Sequence, residues 1–145
     1  MIRDLKDSDK EAWRALFRAY GVFYETEFTE DVLDRVWGLL LTPGSGVDGL
    51  IAEVDGTAVG FAHYRSHPDT FTGGRDWFLD DLYVTPDARG GGHATALIEH
   101  LGDLARAAGA AGTLRWITAA DNDRAQRVYD RIAAKTTWVT YELAL

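Results

Sequence analysis

Residues 85–101 read TPDARGGGHATALIEHL, and the three consecutive glycines at 90–92 decide how the rest of the chain is parsed. Glycine loses more backbone freedom on folding than any other residue, so a run of three needs a reason. The run follows an apolar stretch, LDDLYV (79–84), and precedes a segment in which Leu97, Ile98, Leu101, Leu104 and Ala105 recur at helical spacing. A strand-to-helix turn is therefore expected here, and Pro86 biases Thr85 away from helix. The start of a helix leaves N–H groups without partners and carries a partial positive charge. A glycine-rich turn lets the backbone come close to a ligand, so the amides of Gly90, Gly91, Gly92, His93, Ala94 and Thr95 form a candidate phosphate cradle. Arg89 adds a permanent cation beside it. A nucleotide P-loop is excluded, because no Gly-Lys-Ser/Thr follows at the required spacing. The dinucleotide fingerprint fails at its third glycine, where Thr95 stands. On the glycines alone, a flexible turn without a ligand remains the alternative.

Working outward, MIRDL (1–5) reads as a first strand and SDKEAWRALFRAY (8–20) as a helix, with Ser8 or Asp9 as its cap and Trp13, Leu16, Phe17 and Tyr20 on its apolar face. TEDVLDRVWGLL (29–40) is a second helix capped by Thr29, followed by the loop TPGSGVDG (42–49). GLIAEVDGTAVGFAHY (49–64) is a hairpin turning at Asp55-Gly56, a pair that tolerates positive φ. A loop, SHPDTFTGGRD (66–76), leads into the strand WFLDDLYV (77–84). After the glycine turn and its helix, which ends at Gly109 or Gly112, come a strand TLRWIT (113–118), a helix NDRAQRVYDRIAA (122–134) and a last strand TTWVTYELAL (136–145). The order β-α-α-β-β-β-α-β-α-β predicts an α/β fold: a mixed sheet, antiparallel through its middle, covered by helices.

The bulk numbers agree with one domain over residues 1–145. Apolar residues make up 46% and charged residues 26%, an ordinary globular balance. No apolar run approaches the roughly 20 residues that span a bilayer, so no membrane partner is expected. The N-terminal stretch lacks an apolar signal core, which makes a cytoplasmic location the default expectation. There is no Cys, which removes disulfides, thiolate metal sites and a cysteine nucleophile. The net charge of −8 repels phosphate backbones, argues against nucleic acid and favours a cationic small molecule. His63, His67 and Asp69 have a superficial look of metal ligands, but no second cluster supports them and no metal is expected.

Arg89-Gly90-Gly91-Gly92-His93-Ala94 resembles the Arg/Gln-x-x-Gly-x-Gly/Ala signature of the GNAT superfamily of acyl-CoA N-acyltransferases. DNDRAQRVYDRI (121–132) resembles its second signature, an Asn followed by a helix bearing Ala and then Tyr. The likeness covers nearly the whole chain, and LDDLYV is similar to the corresponding strand of the polyamine and histone acetyltransferase branch. Three departures stand out. Asp80 replaces a usual Glu, His93 replaces a residue that is often apolar, and IAAKTTWVTY (132–141) replaces a Leu-Gly-Phe ending, implying merged or shortened last strands.

The resemblance implies a mostly antiparallel central sheet with helices on both faces, splayed between the fourth and fifth strands. It implies acetyl-CoA as co-substrate, with the pyrophosphate on the glycine loop and the pantetheine arm held by backbone groups of Leu82, Tyr83 and Val84 like an added strand. It implies that Tyr129 protonates the departing thiolate; a phenol with a pKa near ~10 carries that proton at neutral pH. Tyr129 follows Asn122 by seven residues, about two helical turns, so both are expected on one helix face with the small Ala125 leaving room for CoA. Asp80 and Asp81 are expected on opposite faces of their strand, and the resemblance selects Asp80 for the acceptor amine. Glu25 and Glu27, with Glu30, form an acidic patch that would attract that amine. The expected activity is acetylation of a primary amine on a small cationic acceptor (a polyamine, an amino acid derivative or a basic peptide) in a ternary complex, with a homodimer implied by the family. A non-catalytic acetyl-CoA-binding or sensor module is the alternative; it would need the glycine loop but neither Tyr129 nor the acidic strand.

Overall fold

A computed structural model describes residues 1–145. Strands β1 (Ile2–Asp4), β2 (Asp48–Val54), β3 (Thr57–Pro68), β4 (Arg75–Val84) and β5 (Leu114–Arg115) form one sheet in the order β1-β2-β3-β4-β5. All neighbours are antiparallel except β4 and β5, which run parallel. Helices α1 (Lys10–Phe23) and α2 (Glu30–Leu40) cover one face, and α3 (His93–Ala107) covers the other. A short α4 (Asp123–Tyr129) follows β5. This is the mixed, mostly antiparallel, splayed architecture that the resemblance implies.

Strand alternation builds two cores from one sheet. Phe61 and Tyr83 join Trp13, Leu16, Phe17, Leu33, Trp37 and Leu40 beneath α1 and α2. Their strand neighbours Ala62, Tyr64, Leu79 and Val84 join Leu97, Ile98 and Leu101 beneath α3. The period of two in the strands and of 3.6 in the helices thus assigns each apolar residue to a face. Asp55 and Gly56 turn the β2–β3 hairpin with φ of 50° and 77°, the doubly positive turn the sequence predicts. Thr29 caps α2 by accepting from Val32 N–H at 3.2 Å, and Gly109 at φ 78° follows the end of α3.

Three elements differ from the sequence expectation. The fifth strand is two residues long rather than six, because the chain leaves β4 after Arg115. The last helix stops at Tyr129. The final strand does not form: residues 134–145 adopt neither helix nor strand. The merged or shortened ending implied by the atypical IAAKTTWVTY is therefore carried furthest at the C-terminal side.

The N-terminal strand is held to the sheet by charge. Arg3 donates to both oxygens of Asp9 at 2.7 and 2.9 Å and also pairs with Glu53. Asp9 further accepts from Lys6 N–H at 2.8 Å, so its cap position in the sequence becomes a buried anchor. The Arg3 hydrogen bond holds the Asp9 carboxyl below its ordinary value of 3.8, against the opposing effect of burial. A carboxyl depressed on folding stabilises fully above its unfolded value and loses that contribution as pH falls through its folded one. Asp9→Ala is therefore expected to cost about 2 kcal/mol at neutral pH, the scale of hydrogen bonds to charged groups. In denaturant titrations that deficit shrinks once pH drops below the ordinary value of 3.8. A deficit independent of pH would mean that packing, not the ion pair, holds β1.

Candidate active site

The site is made by a defect in β4. Along the β3–β4 ladder His63 faces Asp81 and Tyr64 faces Leu79, so Asp80 is left over as a bulge. A bulge inserts one unpaired residue and re-aims the side chains beside it. Here it corrects the expectation of opposite faces. Asp81 meets His63 at 2.9 Å, and Asp80 meets Arg65 with both carboxylate oxygens at 3.1 Å from Nε. His63 and Arg65 are two apart on the regular β3, hence on one face, and both carboxylates join them on the side covered by α1.

The two acids differ in setting. Asp80 is exposed on the strand and tied to a half-exposed guanidinium that lies 4.7 Å over the Phe78 ring. Asp81 is at the end of a buried relay. Trp13 Nε1–H donates to His63 Nε2 at 2.8 Å. Indole nitrogen only donates, so His63 accepts on Nε2 and carries its proton on Nδ1, which donates to Asp81 Oδ2. The Tyr20 hydroxyl approaches the same carboxylate. Burial pushes Asp81 up, but the hydrogen bonds from His63 and Tyr20 outweigh it and hold the group below its ordinary value of 3.8. Asp81 is thus a half-buried carboxylate that is ionised at neutral pH.

Two tyrosines lie beside it, and a third lies next to one of them. Tyr20 and Tyr24 stand one turn apart at the end of α1, their rings 5.0 Å apart. Burial and the nearby Asp81 charge raise the pKa of both. Tyr129, at the end of α4, is raised by burial and then by Tyr24. It packs edge-on against Trp116 at 5.4 Å. The groups are close enough for each to feel its neighbours' charge, and all three hydroxyls stay protonated at neutral pH.

Next to this cluster the sheet opens. Pairing of β5 with β4 is confined to Trp77↔Leu114 and Phe78↔Arg115, so no strand covers the β5 side of Leu79–Val84. The splayed edge includes Leu82, Tyr83 and Val84 and leads into the glycine turn. Gly90 and Gly92 hold φ of 85° and 80°, where a side chain would be strained. Space beside both is open, as a close ligand approach requires. Gly92 caps α3 without any side-chain hydrogen bond, and the first helical back-bond runs from Ala96 N–H to Gly92. The N–H groups of His93, Ala94 and Thr95 therefore have no intrahelical partner. Arg89 Nε donates to Val84 O at 3.1 Å and its guanidinium lies 5.8 Å from the Tyr83 ring, which holds the cation between strand and turn. Unsatisfied amides, open space and a fixed cation suit a pyrophosphate.

Other predicted residues lie elsewhere or do other work. Asn122 precedes α4 as its cap, its side-chain oxygen accepting from Ala125 N–H at 3.2 Å. Glu25 and Glu27 are exposed in the α1–α2 connection and form no ion pair, while Glu30 is engaged by Arg14 and Arg18. His63 is occupied by Trp13 and Asp81, and Asp69 organises its own loop by accepting from Phe71 N–H and Thr72 Oγ1. No three His, Asp or Glu side chains converge as metal ligands would, and no helix is long and apolar enough to cross a membrane. Sequence reasoning missed Tyr20, Tyr24, His63 and Asp81 as one cluster. The available signals were the i, i+4 tyrosines at the end of α1 and a single histidine within the run GFAHY of the hairpin.

Comparison with known proteins gives this geometry a context. The acetyltransferase (GNAT) family model matches residues 7–133. A D-amino-acid N-acetyltransferase of Saccharomyces cerevisiae is 31% identical over 144 residues, covering 98% of this chain and 89% of the relative. The crystal structure of a ribosomal-protein-alanine N-acetyltransferase from Brucella melitensis biovar Abortus 2308 superposes with a TM-score of 0.83 at 28% identity, covering 100% of this chain and 99% of the other. AAC(6')-Iy in complex with a bisubstrate analogue of CoA shares the fold, with a TM-score of 0.85 at 23% identity over 100% of this chain and 97% of that one.

Proposed function

The chain belongs to the acetyltransferase (GNAT) family and is a GNAT-type acetyltransferase, and on that premise we propose that it moves the acetyl group of acetyl-CoA directly to a primary amine of a small cationic acceptor. The observation that carries the reading is the ionised Asp81, with Tyr20 and Tyr24 beside it and Tyr129 next to Tyr24, close to an uncovered strand edge and the unsatisfied amides of α3. The donor lies along that edge, with its pyrophosphate on Gly90–Thr95 and Arg89. The ammonium of the acceptor docks on Asp81, among Tyr20 and Tyr24, with Asp80 at the rim. After loss of its proton to water, the amine nitrogen attacks the thioester carbonyl. The C–N bond forms, the C–S bond breaks, Tyr129 delivers its proton to the departing sulfur, and the acylated nitrogen releases its extra proton to solvent, from which the Tyr129 phenolate is reprotonated. Because the chain has no Cys, no acyl-thioenzyme intervenes.

The relative that acts on D-amino acids makes amino acids the first acceptors to try. The strand LDDLYV and the net charge of −8 keep the polyamine and histone acetyltransferase branch beside them.

The missing cysteines also make the test clean: in a mixture of protein, acetyl-CoA and amine, a thiol reagent reads released CoA alone. Thiol release is expected with D- and L-amino acids or polyamines, and not with their N-blocked forms. Its rate rises from pH 7 as the free-amine fraction grows towards an alkylamine pKa near ~10. A general acid works while protonated, and Tyr129 titrates above its ordinary 10.0, so no alkaline fall is expected below that pH. Release that ignores the amine, or a rate that falls between pH 8 and 9, would overturn the reading.

A further inference from the structure

Arg65 holds Asp80 by a single nitrogen. Its Nε lies 3.1 Å from each carboxylate oxygen, and neither terminal nitrogen of the guanidinium donates a hydrogen bond within the chain. Arginine carries five N–H donors in a rigid planar fork, so four are idle here. The fork is nonetheless held. Arg65 stands opposite Phe78 in the β3–β4 ladder, and its guanidinium carbon lies 4.7 Å over that ring. Asp80 on one edge and Phe78 on one face fix the group and leave its terminal edge uncommitted. The arginines of α1 differ in this respect, because Arg14 and Arg18 both spend terminal nitrogens on Glu30.

The idle edge lies beside the acid already assigned to the acceptor. His63, which bonds Asp81, and Arg65 are successive residues on one face of β3, roughly 7 Å apart along the strand. An anion site and a cation site are thus fixed side by side, one presenting a carboxylate and the other a free guanidinium fork. The ammonium and carboxylate of an α-amino acid are two bonds apart. With a charge-assisted hydrogen bond of about 2.8 Å at either end, such a molecule bridges roughly 8 Å. A diamine in the same place would set its second ammonium against the guanidinium, and like charges there are unfavourable.

Resting on the acetyl-transfer reading above, we propose that Arg65 binds the carboxylate of the acceptor, so that the amine docked on Asp81 is the α-amine of a free amino acid rather than the end of a polyamine. The two acids of the bulge then divide the work: Asp81 takes the ammonium, and Asp80 holds the guanidinium that takes the carboxylate. Arg65 determines specificity without touching the reacting atoms.

The test compares alanine, phenylalanine and lysine, in both hands, with ethylamine, phenethylamine and cadaverine, the same molecules without the carboxylate. By thiol release, the parent protein is expected to favour the amino acid of each pair in kcat/KM. In Arg65→Gln that preference is expected to fall roughly 10- to 100-fold, the scale of a lost charge-assisted pair, with most of the change in KM for the amino acid. The basicity of each amine cancels, because the ratio is compared between two proteins at one pH. Arg65→Lys keeps the charge but not the fork, and is expected to recover only part of the preference. If Arg65 only supports the fold, its loss lowers both members of a pair together and leaves the ratio alone. Calorimetric titration of the same compounds into the CoA-bound protein reads recognition without turnover. Tighter binding of the amino acids that Arg65→Gln weakens would support the assignment even where no acetyl group moves, and the silent rate assay would then count against the transfer reading alone. A ratio that Arg65→Gln changes by less than about twofold, an absence of amino-acid binding, or a parent protein that prefers the decarboxylated amines would overturn it.

Discussion

Tyr129→Phe is expected to lower kcat by roughly 10²–10³-fold, the range for loss of a positioned general acid, with the affinity for acetyl-CoA nearly unchanged. The substitution removes one oxygen. The ring remains, and with it the edge-on contact to Trp116 at 5.4 Å that positions the end of α4. The donor's proposed holding points, the α3 amides and Arg89, are remote from that oxygen in sequence and chemistry. What is lost is the proton for the leaving sulfur. Burial raises the phenol above its ordinary 10.0, so it is protonated at neutral pH. A developing thiolate, with a thiol pKa near ~8.5, is a weaker base than the phenolate it would leave behind. The transfer is therefore uphill unless coupled to C–S cleavage, which makes donation concerted with departure. Acetyl-CoA titrated against the variant by calorimetry should reproduce the parent affinity, while steady-state thiol release collapses. Equal turnover in the two proteins would remove Tyr129 from the chemistry. A parallel loss of donor affinity would recast it as a binding residue.

The contrast between what could and could not be read from the chain follows from the range of the interactions involved. The glycine turn, the Asp55-Gly56 hairpin, the Thr29 cap and the apolar stripes of α1 and α3 are local, and each was legible from spacing alone. The bulge at Asp80 is not local. It depends on the register between His63 and Asp81, eighteen residues apart, and strict alternation along β4 predicts the wrong face for one of the two acids. The relay has the same character: Trp13 reads as a core residue of an amphipathic helix, and only the packing of α1 on β3 reveals that its indole N–H orients a histidine fifty residues away. Asn122 has a local role that spacing did not read. Its spacing to Tyr129 matches a shared helix face, but Asn is a favoured cap, and the helix begins one residue after it. Residues 136–145 show a sequence with strand character that finds no partner inside its own chain.

Asp81→Asn is the second change expected to disable the enzyme, lowering kcat/KM for the amine by roughly 100-fold, while Asp80→Asn costs less than about tenfold. The two substitutions are chemically identical and one residue apart, so they separate roles that the sequence alone leaves entangled. Asn at 81 can still accept from His63 Nδ1–H, and the His63–Trp13 bond at 2.8 Å need not move. Stability should change little, and a folded protein should remain to be assayed. What disappears is the negative charge proposed to hold an incoming ammonium beside Tyr20 and Tyr24. A charged acceptor then loses both its docking partner and its alignment, and the effect falls mainly on KM for the amine. Asp80, by contrast, has already committed both oxygens to Arg65 at 3.1 Å and lies more open to water. Its loss frees a guanidinium at the rim and weakens the local field, an effect that added salt should reduce because exposed charges are screened. Steady-state kinetics of both variants against the same amine, at two ionic strengths, decide between them. If Asp80→Asn proves the more damaging, the bulge presents the wrong acid in this reading, and the strand residue selected by the family resemblance carries the amine after all.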